Sequence, residues 1–300
     1  MTTEDSIQKK RGSTSYLKKG KIMQEITLSG NALRDKAKEL RKMLLTMIYN
    51  AQSGHPGGSL SAADIVASLF FHTMHIDPEN PKWEDRDRFV LSKGHVCPVL
   101  YSALIMRGVI SEDALGTLRK EGSILQGHPD MKRCPGIEIS TGSLGQGISC
   151  AVGMAITGKY DKKDYRVYTL LGDGECNEGQ VWEAAQGASK YNLDNLTVLI
   201  DNNGLQNDGF AKDIMPSRDI RKKFEAFGFQ TLRVDGHNVD EITAALDFMK
   251  TQRNGRPKCI VCNTIKGKGV SFMENVPVWH GTAPNEEQYK QAMKEIEEGF

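Results

Sequence analysis

Two apolar runs of strand length, "YRVYTLLGDG" (165–174) and "NLTVLIDNNG" (195–204), flank a helical stretch over roughly 178–190. That pattern constrains the fold more than any other feature of the chain. Strands joined through a helix of this length run parallel, because an antiparallel pair needs only a tight turn. The other segments agree. "NALRDKAKELRKMLLTMIYNA" (31–51) sets Leu33, Leu40, Met43, Leu44, Met47 and Ile48 at helical spacing and stops at Ser53-Gly54. A second apolar helix is expected over "AADIVASLFFHTM" and a strand in "DRFVLSKGH". Helices follow at 98–107, 112–121 and 146–159, with a long loop from Gly122 to Gly142. "FQTLRVDG" and "CIVCNTI" read as further strands around a helix near 239–252, and 286–297 as a charged surface helix. The expected fold class is α/β: a three-layer, doubly wound parallel sheet with helices on both faces, in one domain over 29–300. Residues 1–28 read as a charged, flexible lead-in.

Composition narrows the partners. With 300 residues and 39% hydrophobic content there is ample material for a packed core. The formal net charge is only +1, so neither nucleic acid nor a membrane surface is expected as the main partner. Any anion site must be local. The six cysteines show no disulfide or zinc spacing, which fits a reducing compartment, and no apolar stretch approaches transmembrane length; a cytoplasmic location is expected. Cys259 and Cys262 form a CxxC, but inside an apolar run that reads as strand interior.

In a parallel α/β sheet the loops at the carboxyl ends of the strands form the ligand crevice. Asp173 and Asn203 both sit at such ends, one crossover apart. If their strands are neighbours, the axes lie about 4.8 Å apart and two oxygen ligands share one ion. A carboxylate with an amide carbonyl suits a hard cation, Mg²⁺ or Ca²⁺, rather than zinc. Magnesium usually completes its shell with phosphate oxygens and water, so a diphosphate ligand is expected beside Gly172 and Gly174. The alternative for each site alone is an ordinary turn without metal. Two other patterns carry no site. "GMAITGKY" has Tyr160 where a P-loop needs a hydroxyl, and "GSLGQG" has its glycines in the wrong order for a dinucleotide fingerprint.

The pairing of "GDG" with "NN" resembles the diphosphate-binding motif of thiamine-diphosphate enzymes. "SGHPGGSL" (53–60), "DRFVLSKGH" (87–95), "GHPD" (127–130), "STGSLGQGIS" (140–149), "DNNGLQNDG" (201–209) and "HGTAP" (280–284) occur in the order of the amino-terminal half of transketolase, so the resemblance covers residues 30–285. It implies thiamine diphosphate and Mg²⁺ (or Ca²⁺) as cofactors, with Asp173, Asn203 and the Leu205 carbonyl on the metal. His95, Gly174 and His280 would lie against the diphosphate, with Gly172, Glu175 and His55 in the same cofactor set. Gly142, Ser143 and Leu144 would meet the aminopyrimidine. His55, His128 and His280 would surround the sugar and shuttle protons, and Glu178 would join the carboxylate network at the subunit boundary.

Elementary chemistry runs the same way for the histidines. His55 and His128 each lie between glycine and proline, and His95 follows Gly94 after a strand, so all three imidazoles project from strand-end loops. An imidazole titrating near neutrality gives or accepts protons at working pH. His72 and His75 read as packing or surface residues and His237 as a turn residue. The family's second, pyrimidine-binding domain has no counterpart in these residues. The resemblance therefore implies one subunit of a split transketolase, completed by a C-terminal partner chain in an α2β2 assembly and acting on sugar phosphates. The alternatives are the α subunit of a 2-oxo acid dehydrogenase, a relative acting on an unusual sugar, and a non-catalytic Mg-phosphate module.

Overall fold

The structure, a computed structural model, describes residues 26–299 and the backbone of two short strands, β1 (Ser15–Lys18) and β2 (Lys21–Gln24), which pair antiparallel. The lead-in expected over 1–28 falls largely outside the described residues. At its edge, the Leu28 amide donates to the Phe71 carbonyl, which fastens the chain as it enters the domain.

Helix α1 (Gly30–Ala51) is followed by α2 (Pro56–Ser61) and α3 (Ala63–Ser68), which widens into a π turn at Leu69–Thr73. Then come β3 (Arg88–Leu91), α4 (Cys97–Met106), α5 (Gln146–Tyr160), β4 (Val167–Gly172), α6 (Gly179–Lys190) and β5 (Leu196–Asn202). Two short helices, α7 (Ala211–Ile214) and α8 (Ile220–Ala226), lead to β6 (Gln230–Asp235), α9 (Val239–Thr251), β7 (Lys258–Asn263) and α10 (Glu286–Glu298).

Strands β3 to β7 form one sheet in the order β3-β4-β5-β7-β6, and every neighbouring pair is parallel. Alternate residues of each strand face opposite layers, which explains runs that are apolar throughout. Leu170, Leu199 and Ile260 pack with α1, α3, α4 and α9 on one face. Leu171, Ile200 and Val261 pack with α5, α6 and α8 on the other. The expected three-layer, doubly wound α/β fold is therefore observed. Among the described residues no helix is long and apolar enough to cross a membrane.

Helix ends follow local chemistry. Asn238 caps α9 by accepting from the amides of Asp240 and Glu241, and Asn285 with Gln288 forms a capping box on α10. Three segments differ from expectation. Residues 112–121 form not an α-helix but a 3-10 turn over Glu112–Thr117, because Arg119 turns left-handed (φ 60°) and gives its amide to the Leu125 carbonyl. Pro56–Ser61, where no helix is expected between Ser53-Gly54 and the second apolar helix, is helical. Pro56 starts it, and Gly57 is there for clearance, since a Cβ would stand 2.8 Å from the Trp279 carbonyl oxygen. The apolar helix expected at 62–74 is broken into α3 and the π turn.

Leu199 lies in the central strand with no exposed surface. Leu199→Ala is expected to lower the unfolding free energy by about 2–5 kcal/mol in a urea titration. A loss below about 1 kcal/mol would contradict this packing.

Candidate functional site

The register sets Gly172 beside Asp201 and Asn202 beside Asn263, so the strand tips end level along one edge of the sheet. The loops beyond them enclose a cavity of about 380 Å³. Of the residues singled out from sequence, His95, Gly142, Leu144, Gly172, Asp173, Gly174, Glu175, Asn203, Leu205 and His280 line it. His55 and His128 do not line it but lie next to residues that do. The His55 ring lies 5.2 Å from that of His95 and 5.4 Å from that of His280. His128 packs behind Gly142, whose Cβ position is 3.0 Å from its ring. Ser143 and Glu178 are exposed and do not line the cavity.

Three carboxylates sit at this edge in three different states. Asp201, fully buried at the tip of β5, accepts from Ser61 Oγ, Lys93 Nζ, Asn203 Nδ2 and Thr264 Oγ1. Burial alone raises its pKa, but the Lys93 ammonium and these donors outweigh burial and hold it below the usual range. Glu175 is turned into the protein. It accepts from Ser92 Oγ and the amides of Gly145 and Gly172, which ties the loop before α5 to the end of β4. Its part in the site is thus to brace a loop. Asp173 lines the cavity as Glu175 does, with fewer donors on its carboxylate. Its oxygens accept from the amides of Gly174 (3.0 Å) and Gly204 (2.9 Å), and burial followed by the nearby Asp201 charge pushes its pKa up to about 6.

Asn203 lies across the cavity wall from Asp173, its Oδ1 accepting from the Leu205 amide. The two strand ends are thus neighbours and face the same space, which is the condition on which the shared-ion expectation rests. Among the described residues no group of three or more His, Cys, Asp or Glu could hold a metal. The Asp173, Asn203 and Leu205 set is of another kind: one carboxylate with neutral oxygens.

Sequence reasoning missed four neighbours. Lys93 pairs with Asp201. Lys266 is buried after β7; its ammonium donates to the carbonyl of Gln206 and is 2.8 Å from His280 Nδ1, and among the described residues no carboxylate pairs with it. Burial, then the Lys93 charge, lowers it to about 8. Gln206 lines the cavity beside Gly174. Arg119 donates to Ser53 Oγ and reaches His55 Nδ1 at 3.5 Å. Lysines beside the glycines of strand-end loops ("SKGH", "TIKGKG") were the available signal for the first two.

These cations alter the histidines. Burial, then Arg119, lowers His55 to about 4, and burial, then Lys266, lowers His280 to about 4. His95 falls well below its ordinary value for the same reasons, with Lys93 the first charge after burial. The sequence led us to expect imidazoles titrating near neutrality; in this setting they are neutral hydrogen-bonding groups at pH 7.

Fold and site together define a ligand-binding α/β domain with its pocket at the carboxyl edge of a parallel sheet. Residues 33–298 match the family described as transketolase, thiamine diphosphate binding domain, and the chain belongs to that family. It is 45% identical over 265 residues to the 6-deoxy-6-sulfo-D-fructose transketolase subunit SqwG of Clostridium sp. (strain MSTE9), covering 88% of this chain and 96% of that protein. It is 42% identical over 261 residues to one of the subunits of the apulose-4-phosphate transketolase from Phocaeicola vulgatus, covering 86% of this chain and 91% of that one. The crystal structure of transketolase from Campylobacter jejuni superposes with a TM-score of 0.85 at 35% identity, over 90% of this chain but only 43% of that one.

The depressed histidines predict how stability depends on pH. The folded state disfavours the imidazolium, so the stability they contribute is complete above their ordinary pKa of 6.5 and is lost as pH falls toward about 4. Melting temperature is expected to drop between about pH 6.5 and about pH 4.5, and to drop less in a His55→Gln, His280→Gln variant. Identical pH profiles for the two proteins would contradict the assignment.

Proposed function

We propose that this chain is the thiamine-diphosphate-binding subunit of a two-chain transketolase. It transfers a two-carbon ketol unit between sugars bearing an acidic group, in a site completed by a partner subunit with the pyrimidine-binding domain. Two of each chain in an α2β2 assembly, in the cytoplasm, is the arrangement we infer. One observation carries the reading: a buried carboxylate, Asp173, faces the cavity with backbone amides as its hydrogen-bond partners among the described residues, beside the neutral oxygens of Asn203 and Leu205. Support for a separate partner comes from relatives named as subunits, one of which this chain covers over 96% of its length.

The donor set fits a hard divalent cation, and the burial that raises Asp173 is offset once such a cation is bound. We assign Asp173, Asn203 and the Leu205 carbonyl to Mg²⁺, and Lys266, His95 and His280 to the diphosphate. When bound, thiamine diphosphate supplies a nucleophilic carbon and an electron sink for cleaving a bond beside a carbonyl. The chain's own residues do the rest. Gly142 and Leu144 form the wall for the cofactor's ring, and Glu175 holds that wall in place through Gly145. His55, His128 and His280 are placed to hydrogen-bond sugar hydroxyls, and an anion in the cavity raises their proton affinity toward the working range. Glu178, exposed at the start of α6, is free to meet the partner subunit. The family match sets aside the 2-oxo acid dehydrogenase alternative. Relatives named for sulfo-sugar and apulose-phosphate transfer stand at similar identity, so a sugar other than a common pentose phosphate is a full candidate.

Two outcomes test this. In calorimetry of the complex with its partner, Asp173→Ala is expected to weaken Mg-dependent thiamine diphosphate binding by more than the roughly 100-fold that losses outside a metal's own ligands reach. Unaltered affinity would refute the metal assignment. Ketol transfer from a screened set of acidic ketoses is expected only when chain and partner are combined, and full turnover by the isolated chain would refute the split site.

A further inference from the structure

The backbone that presents Lys266 to the cavity is anchored on both sides of the lysine. The Thr264 amide donates to the Asn202 carbonyl (3.2 Å) and the Gly267 amide to the Gly57 carbonyl (2.9 Å). Between them, the Ile265 amide has a side-chain acceptor, His237 Nε2, at 2.8 Å. His237 comes from the turn after β6, at the edge of the sheet. That turn reaches the end of β7 because residue 236 is glycine: a Cβ there would lie 2.4 Å from Thr264 Cγ2 and 2.9 Å from the Asn263 carbonyl oxygen.

A backbone amide can only donate, so Nε2 of His237 must present its lone pair, and the ring proton sits on Nδ1. Nδ1 lies 2.8 Å from Asp64 Oδ2, and so donates to it. Asp64 is in turn gripped by both guanidinium nitrogens of Arg41 on α1. All three side chains are largely buried. Arg41, Asp64 and His237 therefore form a chain of fixed donors and acceptors that starts in the helical layer and ends on the residue before Lys266.

We infer that His237 is a positioning residue of the cofactor site, holding Ile265 so that the adjacent Lys266 ammonium faces the space assigned to the diphosphate. This rests on the cofactor assignment made above. No other side chain bonds the backbone of residues 265–267 among the described residues apart from Glu274, whose carboxylate lies beyond them at the Gly269 amide. Loss of the Nε2 acceptor therefore releases the Ile265 amide, the one side-chain tie beside the lysine, while the backbone bonds at Thr264, Lys266 and Gly267 and the pairing of Asp64 with Arg41 remain.

Two substitutions separate the halves of the imidazole. His237→Asn keeps a donor near Nδ1 for Asp64 and removes the acceptor; His237→Gln places an amide oxygen near Nε2 and restores it. Amide hydrogen exchange at Ile265 is expected to accelerate in His237→Asn and to recover in His237→Gln. In the complex with its partner, Mg-thiamine diphosphate affinity is expected to fall about tenfold in His237→Asn and to recover in His237→Gln. The double variant His237→Asn, Lys266→Met is expected to bind no more weakly than Lys266→Met alone, since both changes act on one group. Additive losses, or unchanged affinity in His237→Asn, would overturn the inference. So would a ¹⁵N spectrum of the unaltered protein showing the His237 proton on Nε2, a measurement that needs no variant to fold. Failure of the unaltered complex to bind thiamine diphosphate would instead refute the cofactor assignment, and the exchange data would still decide whether His237 holds Ile265.

Discussion

The site is organised around the buried pairing of Asp201 with Lys93. Asp201 sits at the tip of the central strand, and its carboxylate takes hydrogen bonds from α2, from the loop after β3, from the turn after β5 and from the segment after β7. Three parts of the chain distant in sequence, together with the turn that directly follows, are drawn to one pair of oxygens. Burying a charge this completely is tolerated only when its lone pairs are filled, and removing a partner from such a pair costs roughly 3–5 kcal/mol. The tension therefore locks the loops in place, and the cavity keeps its shape because none of the four can leave alone.

That saturation gives Asp173 its distinct character. Both aspartates lie at strand tips a single strand apart, yet one is held below the usual carboxylate range and the other is raised to about 6. The difference is supply. Asp201 takes the ammonium and the hydroxyls, and Asp173 has two amides and a neighbouring negative charge. A group in that position gains strongly from a cation, and the same cation would draw a polyanion toward Lys266. The histidines are set first by burial and then by the same field, since the lysines and Arg119 that favour an anion in the cavity also help keep His55 and His280 unprotonated without one.

Much of this was legible in the linear sequence, for local reasons. The strand, helix and strand at 165–204 dictated a parallel pair, and parallel neighbours put Asp173 and Asn203 at one edge. Helices α5, α6 and α9 were read to within a residue or two because apolar spacing and capping residues are local signals. The misreadings have equally local causes. Pro56–Ser61 has no apolar periodicity to mark it as helix, since Gly57 is set by the Trp279 carbonyl and Gly58 by Val96, and residues 112–121 look helical until Arg119 reverses the chain. Lys93, Asp201, Lys266 and His237 were not recoverable as a set. Their roles arise from partners up to 173 positions away, as between Asp64 and His237, and a lone lysine or a histidine in a turn carries no mark of such a partner.

The space between Asp173 and Asn203 is the cation site we propose. Anomalous diffraction from crystals of the chain with its partner, grown with Mn²⁺ in place of Mg²⁺ and with thiamine diphosphate, addresses it most directly. A single strong peak is expected about 2.2 Å from an Asp173 carboxylate oxygen, within bonding distance also of Asn203 Oδ1 and the Leu205 carbonyl. A peak elsewhere with that space filled by protein, or cofactor bound with no peak at all, would contradict it.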